Sequence, residues 1–500
     1  MVGSPRSIAD RVRIVCDEAG ALAEGTAFAG DVAPVRARLD GALRIAIAGR
    51  VKAGKSTLLN ALVGERLAPT DAGECTRLVT WYQHGNTYDV VAVGADGRSV
   101  PVPFRRVDGA LQFDVDTLQL DTIERLVVSW PSSALRRITL IDTPGLASLS
   151  VDNSLRTSEF LALDESRPSE ADAVIYLMRH LHRRDAEFLG SFMDRSVGGS
   201  SPINAVAVLS RADEIGAGRL DAMSSSRRIA ERYAANETLR TLCSAVVPVA
   251  GLIAEAGLTL REDEASALRQ LAATPDPIRD RMLRAVDAFC EPDASELTVE
   301  LRRHLLDRLG VFGVRFCVGE IRGQRSTSAG ELAAALVAES GLDAVRQLIV
   351  HQFLPRADIL KARTALISLR TIAEALRSVD VIGGSRLAAL VEQCEASTPD
   401  FARLRLRHLV ASRTVAFSDD QRDELDVLMA QSTDVHERLG LDRDAAPAAM
   451  HAGALAGIER WRTLGAAPMA DVAMREACET MAHTYEGIFV ELHEPSGGHV

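Results

Sequence analysis

The sequence predicts an α/β P-loop domain, a mixed and mostly parallel sheet with helices on both faces. It predicts an α-helical bundle built from N- and C-terminal segments beside that domain. Three observations carry this. Residues 43–59 read as apolar strand, glycine loop and helix. From residue 43 to about 249, short β-permissive runs alternate with helical patterns, which implies a largely parallel sheet with its ligand at the carboxyl ends of the strands. Three stretches carry apolar residues at alternating spacings of three and four: Ile8 to Leu22, Ile359 to Leu376 and Met474 to Leu492. Such stripes need one another for burial, which implies an antiparallel bundle assembled from distant parts of the chain. The expected division is 1–42 for helices joining the bundle, 43–353 for the nucleotide domain and 354–500 for the remaining bundle.

The glycine loop fits G-x-x-x-x-G-K-[ST] at Gly49, Gly54, Lys55 and Ser56. Glycines let the backbone curl so that its N–H groups face phosphate oxygens, and the following helix adds the positive end of its dipole. Gly49, Ala53, Gly54, Lys55, Ser56 and Thr57 are the expected phosphate contacts. Lys55 would reach the β- and γ-phosphates, and the Ser56 hydroxyl would ligate Mg²⁺.

Further along, the strand expected at 137–141 leads into Asp142-Thr143-Pro144-Gly145. The Asp142 carboxylate can hold Mg²⁺ through water, and the Gly145 N–H can bond a γ-phosphate, which makes the loop a switch. Thr76, between the two motifs, can offer its hydroxyl to Mg²⁺ and its carbonyl to water. Ser210-Arg211-Ala212-Asp213 follows another expected strand. A carboxylate at 213 suits guanine, since it accepts from N1–H and the 2-amino group together. The Arg211 stem can lie over the base, and Ser244, some thirty residues on, can supply a backbone contact to the guanine oxygen. His180 and His182 do not share a helical face, so no metal site is expected there.

Other features set bounds. The chain has 500 residues, is 47% hydrophobic and carries a net charge of −12. That builds a large core and disfavours a nucleic-acid partner held by bulk electrostatics. Cysteine is sparse, without a C-x-x-C pair, which fits a reducing cytoplasm. No apolar run approaches a membrane span, and the first residues lack a secretion-signal pattern. Gly25 and Gly30 are expected to break the first helix. Arg356, Arg363, Arg370 and Arg377 recur every seventh residue, which reads as ion pairing to a neighbouring helix or as a solvated edge. Arginines at 302, 303, 308, 315, 322 and 325 flank an apolar stretch, which reads as a buried helix with snorkelling side chains or as an anionic-membrane contact.

These motifs resemble those of the dynamin superfamily, and closer still those of the actinobacterial isoniazid-inducible (Ini) bacterial dynamin-like GTPases. The carrying residues are 51–58, 68–71, 76–81, 142–145, 210–219 and 340–342. The resemblance implies binding and hydrolysis of GTP to GDP with Mg²⁺, catalysed around Lys52, Lys55 and Thr76. It implies coupling to self-association through the GTPase face and to membrane remodelling, in a setting of envelope stress or drug tolerance. A paralogous dynamin-like protein and an anionic membrane surface are the implied partners, and the inner face of the cell membrane the implied location. The alternative is a nucleotide-gated scaffold with little turnover. The helical part is short for a dynamin and shows no apolar paddle, and two departures lie in the motifs themselves. Lys52 occupies the loop position where many dynamins have serine, and Ser210 and Arg211 stand where Asn or Thr and Lys are usual.

Overall fold

In the computed structural model the described residues are 7–68, 78–94, 97–107, 110–113, 122–144, 170–192, 204–292, 295–396, 398–411, 414–428 and 434–493. Within them the chain builds β1 (Leu43–Gly49), β2 (Val79–His84), β3 (Asp89–Gly94), β4 (Ser99–Pro101), β5 (Phe104–Val107), β6 (Ala110–Phe113), β7 (Ile123–Trp130), β8 (Ile138–Asp142), β9 (Ala173–Met178), β10 (Ala205–Ser210) and β11 (Val246–Val249). Nine of these form one sheet in the order β11-β10-β9-β1-β8-β2-β7-β3-β4, and β5 and β6 form a separate ribbon. β4 and β5, two residues apart in the chain, therefore lie in different sheets.

β1, β8, β9, β10 and β11 run parallel, while β2 lies antiparallel to β8 and parallel to β7. The parallel group explains the near-continuous apolar sequences of β1, β9 and β10, which are buried throughout apart from Arg44. Their alternate residues serve two cores. Ile45, Ile47, Ile175 and Val208 face a large core that includes Leu58 and Leu59 of the helix after the glycine loop. Ala46, Ala48, Tyr176 and Ala207 face another, closed by Phe188, Leu189 and Leu239. The parallel arrangement brings Gly49, Asp142, Met178, Ser210 and Val249 to one edge of the sheet.

The first helix (Ile8–Ala23) opens on a capping box, the Ser7 hydroxyl accepting from Asp10 N at 3.2 Å and the Asp10 carboxylate accepting from Ser7 N at 3.3 Å. Gly25, at φ +77°, turns the chain; Gly30 lies inside the second helix (Ala29–Asp40) and breaks nothing. These two helices pack with Ala357–Arg377 and Val381–Ala396, and their apolar faces merge with the large sheet core. Two polar ties anchor the junction. Arg38 and Asp172, both buried, pair at 2.8 Å, and Asp172 also accepts from Arg44 N at 2.9 Å. Lys361 Nζ donates to the carbonyls of Leu39 and Gly41 at 2.8 and 3.2 Å, where the second helix hands over to β1.

The third apolar stripe is buried elsewhere than expected. Cys478, Met481, Tyr485 and Ile488 of the last helix (Val472–His493) lie in a separate core with Leu406, Leu425 and Trp461. Gly457 makes that pairing possible: a Cβ there would stand 2.6 Å from the Tyr485 ring. So the last helix finds its burial partner next door in sequence, in Pro447–Gly465, rather than at the N-terminus.

The arginine-rich segment is the helix Val299–Arg322, bent at Gly310 (φ 64°, ψ 176°). It is buried, but its arginines do not all snorkel. Arg302 donates to the carbonyls of Phe289 and Leu297, and Arg308 to Glu264. In the seven-residue arginine series, Arg370 pairs with Glu395 of the neighbouring helix at 2.9 Å. Among the described residues no helix is long and apolar enough to cross a membrane.

Candidate nucleotide site

The glycine loop leaves β1 at the centre of the sheet. Gly49 sits at φ +147°, and a Cβ there would stand 2.5 Å from the Leu177 carbonyl oxygen of the adjacent strand, so only glycine fits. Gly54, at φ +90°, starts the helix Lys55–Val63. Lys52 also adopts a left-handed conformation, φ 62°, and its side chain is exposed on the rim.

Lys55 Nζ donates to the loop's own carbonyls, Gly49 at 3.3 Å and Arg50 at 3.4 Å. Burial pushes its pKa down, with Asp142 opposing the shift. The Ser56 hydroxyl donates to Asp142 Oδ2 at 3.0 Å. Asp142 Oδ1 is buried and has no hydrogen-bond partner among the described residues. Burial pushes the Asp142 pKa up, against the pull of Lys55 and Ser56. A half-buried ammonium, a hydroxyl and an orphaned carboxylate oxygen thus converge at the end of β8, a donor set suited to an oxygen-ligated cation and a polyphosphate. Thr76 and Gly145 lie outside the described residues.

Beside the loop is a cleft of about 140 Å³ lined by Ala53, Gly54, Thr57, Ser210, Arg211 and Asp213, and further by Val249, Gly251 and Leu252. Asp213 is buried, and burial pushes its pKa up to about 6. Arg211, at φ 51°, donates to Glu214 at 2.7 Å, and Arg179 reaches the other oxygen of Glu214 at 2.5 Å. The Ser210 hydroxyl donates to the Met178 carbonyl at 3.2 Å.

Ser244 is not brought to this cleft. It precedes β11, at the amino end of a parallel strand whose carboxyl end forms the cleft. Its hydroxyl instead lies 3.1 Å from the Ala205 carbonyl and 3.0 Å from Gln352 Oε1. The residues that occupy the expected place are Val249, the last of β11, and Gly251 and Leu252 beyond it. Their sequence signal was the glycine two residues past the strand. Two further residues were missed. Glu214 clamps both arginines, and Gly310 uses its bend to approach Asp213 Oδ2, 3.7 Å from where a Cβ would stand.

On the phosphate side a second cavity, about 480 Å³, is lined by Arg50, Val51, Arg179, His180 and His182. No cluster of metal-ligating side chains occurs among the described residues.

Residues 45–195 match the Dynamin family. The chain is 40% identical over 464 residues to isoniazid-induced protein IniC of Mycobacterium tuberculosis, in strains CDC 1551 and H37Rv, which spans 92% of each partner. A shorter stretch of 127 residues is 31% identical to a bacterial dynamin-like protein of Nostoc punctiforme, covering 23% of this chain and 18% of that one. Among solved structures, an oligomerised bacterial dynamin pair overlaps 84% of this chain and 78% of its own at 16% identity and a TM-score of 0.32, too loose a fit to argue from. With the glycine loop, Asp142 and Asp213 meeting at one edge of the sheet, and with identity to IniC along nearly the whole length, the chain belongs to the dynamin family of GTPases.

Proposed function

We propose that this chain binds GTP and hydrolyses it to GDP and phosphate with Mg²⁺. The observation that carries the reading is the half-buried meeting of Lys55, Ser56 and Asp142, with one buried Asp142 oxygen left unpaired among the described residues. Ser56, Thr76 and Asp142 would hold the cation, which supplies charge neutralisation between the β- and γ-phosphates. Lys55 would exchange its bonds to the loop carbonyls for phosphate oxygens, and the backbone N–H groups from Ala53 to Thr57 would bind the same oxygens. Gly145 N–H would read the γ-phosphate. Asp213, ionised, would accept from guanine N1–H and the 2-amino group, with the Arg211 stem over the base.

Lys52 is assigned the role of offsetting charge on the transferring phosphoryl group, as an arginine finger does. Its exposed position on the rim supports either this role or contact with a second copy. Self-association through the GTPase face is supported by the cavity lined by Arg50, Arg179, His180 and His182, which opens beside the phosphate loop. Contact with an anionic membrane at the inner face of the cell membrane is supported by the bundle tip. There Val379, in the turn between two long helices, and Val381 and Ile382, at the start of the second, are exposed and flanked by Arg377 and Arg386. IniC is described as isoniazid-induced; for this chain we assign a setting of envelope stress or drug tolerance. The second reading, a nucleotide-gated scaffold acting with a catalytic paralogue, is favoured by the lysine that replaces a serine at 52.

The test is phosphate release from GTP against protein concentration, with and without anionic vesicles and with Mg²⁺ chelated. Turnover per molecule that rises with concentration and is lost on chelation supports the GTPase reading. Tight GTP binding without turnover under any of these conditions leaves the scaffold.

A further inference from the structure

A cavity of about 350 Å³ lies away from the nucleotide cleft, lined by Glu65, Arg66, Arg106, Thr259, Arg261 and Arg308. The four arginines come from four separate places: the turn after the glycine-loop helix, β5, the start of the helix Glu262–Ala273, and the helix Val299–Arg322. Distant parts of the chain therefore converge four guanidinium groups on one space. Like charges brought together this way repel unless something negative lies among them.

Among the described residues three carboxylates are paired to this wall. Glu65 pairs with Arg106 at 2.5 Å, Glu255 lies 3.0 Å from Arg66 Nε, and Glu264 lies 2.9 Å from Arg308 Nε. Glu255 and Glu264 are buried behind the wall, so Glu65 is the carboxylate that lines the space itself. Arg308 turns its Nη2 to Thr259, at 2.7 Å from the hydroxyl, while its Nη1 stays 3.8 Å from Glu255, beyond hydrogen-bonding range. Arg261 is exposed and makes no ion pair among the described residues. Three guanidiniums are offset by these carboxylates, and the exposed Arg261 leaves the lining with an excess of positive charge among the described residues.

We propose that this cavity is a binding site for a phosphate-bearing anion, a phosphomonoester or diphosphate group held by Arg66, Arg106, Arg261 and Arg308. Guanidinium forks match phosphate oxygens in geometry and charge. The volume exceeds that of a lone phosphate and reaches the lower end of small-molecule sites, so a compact group carrying the phosphate fits as well. Glu65 and the Thr259 hydroxyl can bond hydroxyls on that group. The site also adjoins the nucleotide machinery. Glu255 holds Arg66 with one oxygen and accepts from Asn60 Nδ2 with the other at 3.1 Å, and Asn60 lies one turn beyond Ser56 on the glycine-loop helix.

The same chemistry could come from a free phosphorylated metabolite or from a lipid headgroup, and the experiment separates them. Inorganic pyrophosphate is titrated calorimetrically into the full chain carrying Lys55→Ala, which disables the phosphate loop, and into the same chain with Arg261→Glu or Arg106→Gln added. In parallel, vesicles of phosphatidylcholine with phosphatidic acid or with phosphatidylglycerol are tested by flotation. The expected result is saturable binding below about 1 mM, weakened about 10-fold or more by Arg261→Glu with the melting temperature unchanged. Arg106→Gln should weaken it in the same direction. Phosphatidic acid vesicles that bind the parent and not the Arg261→Glu form assign a lipid source; pyrophosphate binding alone assigns a soluble one. Absence of saturable binding to either probe overturns the proposal. So does binding that both substitutions leave intact, because the charge would then be read elsewhere.

Discussion

Replacing Asp213 with asparagine should stabilise the empty protein while removing its preference for guanine. Burial holds this carboxyl at about 6 instead of the ordinary 3.8. For an acid raised in the folded state, the folded form binds the proton more tightly than the unfolded form. Ionisation then costs stability as pH rises from the unfolded value to the folded one, and the full cost stands above pH 6. Taking that interval at 1.36 kcal/mol per decade gives about 3 kcal/mol at pH 7.5 and about 1 kcal/mol at pH 4.5. An amide keeps one acceptor oxygen and the same shape but carries no charge. Asp213→Asn should therefore gain about 2–3 kcal/mol at pH 7.5 and much less at pH 4.5. Urea unfolding at both values measures it, in a Trp461→Phe background so that fluorescence reports Trp81 and Trp130 of the sheet. In binding assays, GTP should weaken and xanthosine triphosphate should improve, since an amide can donate to the carbonyl that xanthine carries in place of the amino group. A substitution that destabilises equally at both pH values refutes the electrostatic reasoning. Unchanged ranking of GTP, ATP and xanthosine triphosphate refutes the assignment of Asp213 to the base.

Three other outcomes are expected. Lys52→Ala should lower kcat for GTP by about 10-fold or more with little change in GTP affinity; stopped-flow phosphate release with a fluorescent-nucleotide titration checks both. Leu366→Ala should cost about 2–5 kcal/mol. Because Leu366 shares its core with Ile45 and Ile47 of β1, nucleotide-domain and bundle melting should fall together in calorimetry. Arg38→Ala should cost about 3–5 kcal/mol by leaving Asp172 buried without its cation, and Arg38→Ala with Asp172→Ala should recover part of that loss in denaturant titration.

Much of this architecture was legible because local patterns carried it. The glycine loop announced itself through Gly49 and Gly54, whose backbone angles no other residue tolerates easily, and through the apolar strand before them. The stripes of the first helix and of residues 357–377 were legible because one buried face suffices to show a helix. What failed depended on position in three dimensions. Ser244 was placed by its distance along the chain from Asp213, but the direction of β11 puts residue 244 at the far end of the sheet and Gly251 at the near one. The last helix showed its stripe without showing its partner, which the Gly457–Tyr485 approach decides. Arg302 and Arg308 looked like surface snorkellers because their acceptors, Phe289 and Glu264, lie 13 and 44 residues away. Gly310 gave no signal of its place, because its approach to Asp213 is made by a bend in the helix and not by a local pattern.

The bond from Lys361 to the carbonyls of Leu39 and Gly41 has a mechanical meaning. It clamps a long rod to the foot of β1, and the head of β1 carries the phosphate loop. Beyond Lys361 the rod continues for 16 residues to Arg377, a length of about 24 Å at 1.5 Å per residue. A tilt of about 10° about the clamp would swing its tip by about 4 Å, while the strand end under the clamp hardly moves. An adjustment of β1 passed through this ammonium would therefore be larger at Val381 and Ile382 than at the strand.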